Sequence, residues 1–161
     1  MENVVEVASY ICTRYKNQFG EPIDEMKLHK LLYFCQRESI IQFDEPMFTA
    51  EFEAWMYGPV IVSIRKLYKD NMLNSQLSMD SIERYKSVFD KVFEVYAVKD
   101  SWSLSTLTHG EYSWRKARGV LDGASTSNGR ISINDIRKDA ERIKMRRFFI
   151  EQANALDIKQ I

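Results

Sequence analysis

The 161-residue chain is 45% hydrophobic and 29% charged, apolar enough to hold one core of its own without disulfides or metal. Its 23 basic residues balance its 23 acidic ones, which excludes a global field that would steer it to nucleic acid or anionic lipid. No apolar run approaches the ~20 residues of a membrane span, and the acidic start "MENVVEV" lacks the positive charge of a signal peptide, so a cytoplasmic protein is expected.

Val4, Val5, Ala8, Ile11, Cys12 and Tyr15 recur at helical spacing and predict an amphipathic first helix over about residues 3–18. "FGEP" breaks it, and Asp24 is placed to cap a second helix, with Ile23 as the apolar staple before the cap. That helix has Leu28, Leu31, Leu32, Cys35 and Ser39 on one face, widened by Tyr33, Phe34 and Ile40, as expected of a central helix covered on several sides. Phe48, Ala50, Phe52, Ala54 and Met56 then alternate with Thr49, Glu51, Glu53, Trp55 and Tyr57, the period of an extended segment with one apolar face. Pro59 suits the first position of a following helix, with Gly58 as the hinge and Val60, Ile64, Leu67 and Tyr68 as the buried side.

Residues 70–80 read as a loop, and Asp80 with Glu83 has capping-box spacing at the start of a helix buried through Ile82, Tyr85, Phe89, Val92, Phe93 and Tyr96. Two shorter helices follow, ended by Gly110 and Gly119, and then a flexible-looking stretch from Asp122 to Gly129. Ile131 to Ile133 is a candidate strand, and Ser132 or Asn134 a candidate cap for a last helix over 134–156. The expected fold is mainly α: a single helical domain of six to seven helices over residues 1–161, with a small strand pair or hairpin.

Three stretches resemble the Panacea domain family of SocA-like and phage-associated proteins: "KLHKLLYFCQ" (Lys27 to Gln36), "EAWMYGPV" (Glu53 to Val60) and "LTHGEYSWRKAR" (Leu107 to Arg118). They occur in the family's order, although Val62 and Ser63 stand where many members carry a further proline. The resemblance implies an antitoxin that binds and neutralises an unrelated toxin encoded beside it. Members of one branch deliver the toxin to a cytoplasmic protease, and others travel on phages or mobile elements. It also singles out Glu53, Trp55, Tyr57, Gly58, Pro59, His109 and Trp114 as motif residues.

Read from the residues alone, Trp55, Tyr57 and Trp114 are either interface anchors or large side chains bracing a strand-to-helix corner. His29 and His109 are the only histidines, and neither they nor Cys12, Cys35, Glu53 and Glu111 have metal-ligand spacing, so no metal and no cofactor are expected. His109, beside Gly110, is placed to bond free carbonyls at a helix end. Both cysteines read as buried, inert thiols. An enzyme would need Glu53, Tyr57, His109 and Glu111 to converge, and no nucleophile or phosphate motif supports one.

Seven bases from Arg130 to Arg147 stand against five carboxylates and no base between Glu38 and Ser63. A nucleic-acid-binding regulator using that basic helix is the weaker alternative, since the charge excess is modest. The last helix is amphipathic through Ile136, Ala140 and Ile143. Then Met145, Phe148, Phe149, Ile150, Ala153 and Leu156 spread round its circumference. Such a segment must be wrapped by the fold or by another chain. Phe148 and Phe149 are therefore expected in an interface with a toxin or with a second copy of the chain, and the overall expectation is a binding protein rather than an enzyme.

Overall fold

The computed structural model describes residues 1–123 and 128–159. Among them the chain runs α1 (Val4–Phe19), α2 (Glu25–Phe43), β1 (Phe52–Trp55), β2 (Gly58–Val60), α3 (Val62–Lys69), α4 (Met79–Arg84) and α5 (Lys86–Val92). A single π-turn (Phe93–Ala97), α6 (Ser101–His109), α7 (Tyr112–Ala117), β3 (Arg130–Ile131) and α8 (Ile133–Lys159) complete it. Half of the expected flexible stretch, residues 124–127, lies outside the described residues.

The mainly α expectation holds, and local chemistry explains most boundaries. The Asn3 and Asp24 side chains accept from Val5 N and Lys27 N, both at 2.8 Å, and so cap α1 and α2. Gly20 ends α1 at φ 76°, in the left-handed region that glycine enters without strain. Ser132 caps α8 through an Asp135 N to Oγ bond of 3.1 Å.

α2 is the axle of the fold. Leu28, Leu31, Leu32, Tyr33, Phe34 and Cys35 are all buried, because α1, α5, α6, α8 and the hairpin cover it on every side. Its polar residues are enclosed with them: Lys30, Gln36, Arg37 and Glu38 are each at most 1% exposed. Gln36 shows how such a group is tolerated, since its amide accepts from Met47 N and donates to Phe48 O, both at 2.8 Å. The central helix thereby carries the loop that leads into β1.

Several expectations need correction. Pro59 does not start a helix, and Gly58 is not a strand-to-helix hinge: Gly58–Val60 pairs antiparallel with β1, with Ala54 opposite Pro59. β2 is an edge strand in the order β2-β1-β3, a place where the missing proline N–H costs no ladder bond. Helix α3 begins only at Val62. Met56 leaves the apolar face, because Met56 and Tyr57 form the hairpin turn and both side chains are exposed.

The expected capping box at Asp80 and Glu83 is replaced by Ser78, whose hydroxyl accepts from Ser81 N at 3.1 Å. The single helix expected after it is divided at Tyr85 and closes in the π-turn, which still buries Tyr85, Phe89, Val92, Phe93 and Tyr96 together. Of the two thiols, Cys35 is buried but Cys12 is only half-buried.

Candidate functional site

The hairpin is held almost entirely by its carbonyls. Arg118 donates to Ala54 O at 3.1 Å, the Trp114 indole to Trp55 O at 2.9 Å, and the Ser105 hydroxyl to Tyr57 O at 2.9 Å. His109 Nε2 bonds Met56 O at 2.9 Å, and Lys30 Nζ donates to Pro59 O at 3.4 Å. These donors come from α2, α6, α7 and the residue that follows α7, so the three stretches that stood out in the sequence are one hydrogen-bonded unit. His109 therefore serves the hairpin turn rather than the end of its own helix, and its ring stacks on Trp114 at 4.2 Å.

Trp114 is buried, with its indole nitrogen on a backbone carbonyl as a bracing residue requires. Trp55 is only half-buried. Its indole donates to the Glu53 carboxylate at 2.7 Å, and the Arg65 guanidinium lies over its ring at 5.0 Å. Tyr57 projects at the tip and meets the exposed Trp102 edge-on at 5.3 Å.

Gly58 is a tight point of the hairpin. Its φ of 112° disfavours any side chain, and an added Cβ would stand 2.5 Å from Thr108 Oγ1 and 2.6 Å from Lys30 Cε. Beside it lies a cleft of about 540 Å³, lined by Met26, His29, Lys30, Trp55, Tyr57 and Arg65 among others. Burial pushes the His29 imidazole down to about 3 and the Lys30 ammonium down to about 8, Asp24 and Glu25 opposing the second shift. In the sequence the only signal for Lys30 beside His29 is a His-Lys step inside a helix covered on several sides.

A second buried polar cluster joins α2, α7 and α8. Arg37 forms an ion pair with Glu111 and donates to Tyr96 Oη at 2.5 Å, its guanidinium lying over the Phe34 ring. Tyr33 Oη meets Ser113 Oγ at 2.8 Å and Asp139 at 3.3 Å. Asp139, from α8, accepts from Tyr112 N and Ser113 N at 2.8 and 2.9 Å, so it caps α7 in place of a local residue. Burial raises the Glu111 carboxyl; Arg37 opposes this and Asp139 adds to it.

The structure does not gather the four residues of the enzyme reading. Glu53 lines a small cleft with Ser63 and Arg130, Tyr57 lines the cleft at Lys30, and Glu111 faces Arg37 and Arg142. His109 is committed to Met56.

The uneven charge read from the sequence is largely matched inside the chain. Arg147 clamps Glu38 with bonds of 2.9 and 3.0 Å, Arg137 meets Asp44 at 2.7 Å, and Arg130 faces Glu51 at 3.4 Å. Beyond Arg147 the helix leaves the body. Phe148 and Phe149 are 55% and 61% exposed, and Ile150, Leu156 and Ile158 are exposed with them. The fold itself does not wrap this segment.

Among the described residues no helix is long and apolar enough to cross a membrane. No curated protein and no solved structure matches the chain. The family model described as "Antitoxin SocA-like, Panacea domain" matches residues 28–115, from the first turn of α2 to the middle of α7. That span takes in the hairpin and all the donors that hold it except Arg118. A chain built round this unit, and matched over more than half its length, belongs to the SocA-like antitoxin family with a Panacea domain.

Proposed function

We propose that the protein neutralises a cognate toxin by direct contact, without catalysis, using the apolar end of α8 as its principal contact surface. Membership of an antitoxin-type family supports the general role. One observation carries the choice of surface: Phe148 and Phe149 stand out from the body on a regular helix, edge-on to each other at 5.8 Å. Contiguous exposed apolar surface on a small domain marks an interaction site, and exposed aromatics supply the large, rigid contact area typical of binding anchors. The hairpin tip, with Tyr57 and Trp102, is a second exposed aromatic surface.

The test is co-expression with the toxin encoded beside this chain, using wild type and the double variant Phe148→Glu, Phe149→Glu. The expected variant folds with an unchanged Tm but no longer rescues growth or co-purifies with the toxin. A folded variant that neutralises as well as wild type overturns the choice of surface. The mass of the free protein in solution separates a toxin surface from contact with a second copy of the chain, because self-association through these residues would give a dimer that the variant loses. Toxin half-life in cells with and without this chain separates holding from delivery to a protease.

A further inference from the structure

We propose that the cleft between the start of α2 and the β1–β2 hairpin binds a single carboxylate carried on an apolar or aromatic body. The inference is independent of the α8 surface. Its floor is formed by His29 and Lys30, each 1% exposed. His29 Nδ1 accepts from Ile61 N at 3.3 Å, which places the proton of the neutral ring on Nε2. That buried N–H has no hydrogen-bond partner, and its nearest acid, Glu25 Oε1, lies 3.8 Å away and is held by Arg65 at 2.6 Å. Lys30 has three N–H donors and one long bond, 3.4 Å to Pro59 O.

The other acid of the wall, Asp24, is also engaged, accepting from Lys27 N at 2.8 Å and from Ser101 Oγ at 2.6 Å. The floor therefore offers donors in search of an acceptor, and an unmet buried donor is costly enough to select for one. Lys30 and Arg65 only balance Asp24 and Glu25, so the lining carries no excess positive charge to hold a dianionic phosphate. Size and lining fix the rest. About 540 Å³ is far more than a carboxylate needs, and Met26, Trp55, Met56, Tyr57 and Val60 give the remaining space apolar walls.

Free organic acids and the carboxylates of polypeptides share this chemistry, and the experiment separates them. The protein is titrated with 3-phenylpropionate and 3-phenylpropionamide, and with a short apolar peptide bearing a free or an amidated C-terminus, by calorimetry and amide NMR. The expected result is at least tenfold tighter binding of the acid than of the amide in one of the two pairs, with shifts centred on His29, Lys30 and Gly58. Preference for the small acid names a metabolite site; preference for the free-acid peptide names a polypeptide site. Lys30→Met removes the acid preference, and Tyr57→Ala, at an exposed position, weakens acid and amide alike. Equal binding of acid and amide in both pairs, no binding of any probe at millimolar concentration, or shifts centred elsewhere overturns the proposal, and each is read on wild type even if a variant fails to fold.

Discussion

The Trp114 indole donates to the Trp55 carbonyl at 2.9 Å, so α7 grips the hairpin through the backbone of a residue whose own side chain faces partly outward. The two tryptophans thus divide the work. Trp114 fixes the hairpin, and Trp55 forms part of the cleft wall.

Replacing Trp114 by Phe keeps most of the ring and removes the donor. The expected cost is about 1 kcal/mol of stability, the usual net value of one such bond. Urea unfolding at neutral pH measures it. An unchanged midpoint would mean that the carbonyl finds another donor.

Gly58→Ala is expected to be severe. A Cβ at φ 112° is strained, and it also meets Thr108 Oγ1 and Lys30 Cε below van der Waals contact. Strain and overpacking together should cost about 2–4 kcal/mol. Thermal unfolding monitored by circular dichroism checks this, with Gly20→Ala as a control that has the positive φ and no close neighbour.

Arg37 and Glu111 form a buried pair, and removing one partner strands the other. Arg37→Met should therefore cost about 3–5 kcal/mol, and adding Glu111→Gln should recover part of that loss. A double-mutant cycle in denaturant gives the coupling; strictly additive losses would show that the pair is not held as described.

Lys30 makes stability depend on alkaline pH. Burial lowers its folded value to about 8, from 10.5 in the unfolded chain. Between those values the unfolded state binds a proton that the folded state has released, so stability rises with pH across this window. The gain over pH 8 to 10.5 is roughly 3 kcal/mol from the size of the shift. It is read as the difference between wild type and Lys30→Met, which cancels the contributions of all other groups. Parallel profiles for the two proteins would show that Lys30 keeps its proton when folded.

What the sequence displayed and what it concealed divide along physical lines. The caps at Asp24 and Ser132 and the helix ends at Gly110 and Gly119 follow from local chemistry within one turn, and each lies where expected. The Gly58–Pro59 step is ambiguous in sequence because proline satisfies both a helix start and an edge strand. Only the partner strand decides, and Phe52–Trp55 pairs with it through backbone alone. Ser78 and Asp80 are both good caps, and the choice rests on where the chain enters α4.

The motif residues Trp55, Tyr57, Gly58, Pro59, His109 and Trp114 do converge on one hairpin, but the donors that hold it are spread over α2, α6 and α7, which no spacing rule connects. Lys30 and Arg37 were concealed for another reason. A charged residue in a helix reads as solvated unless the cover on all its faces is known, and that cover comes from distant segments.

The clamp of Arg147 on Glu38 is the last firm hold the body has on α8. From there to Lys159 the helix advances about 18 Å at 1.5 Å per residue. Substitutions along it leave the packed interior untouched, so that stretch can drift in sequence without risk to folding. Evolution can rewrite the tip while conserving the scaffold that presents it.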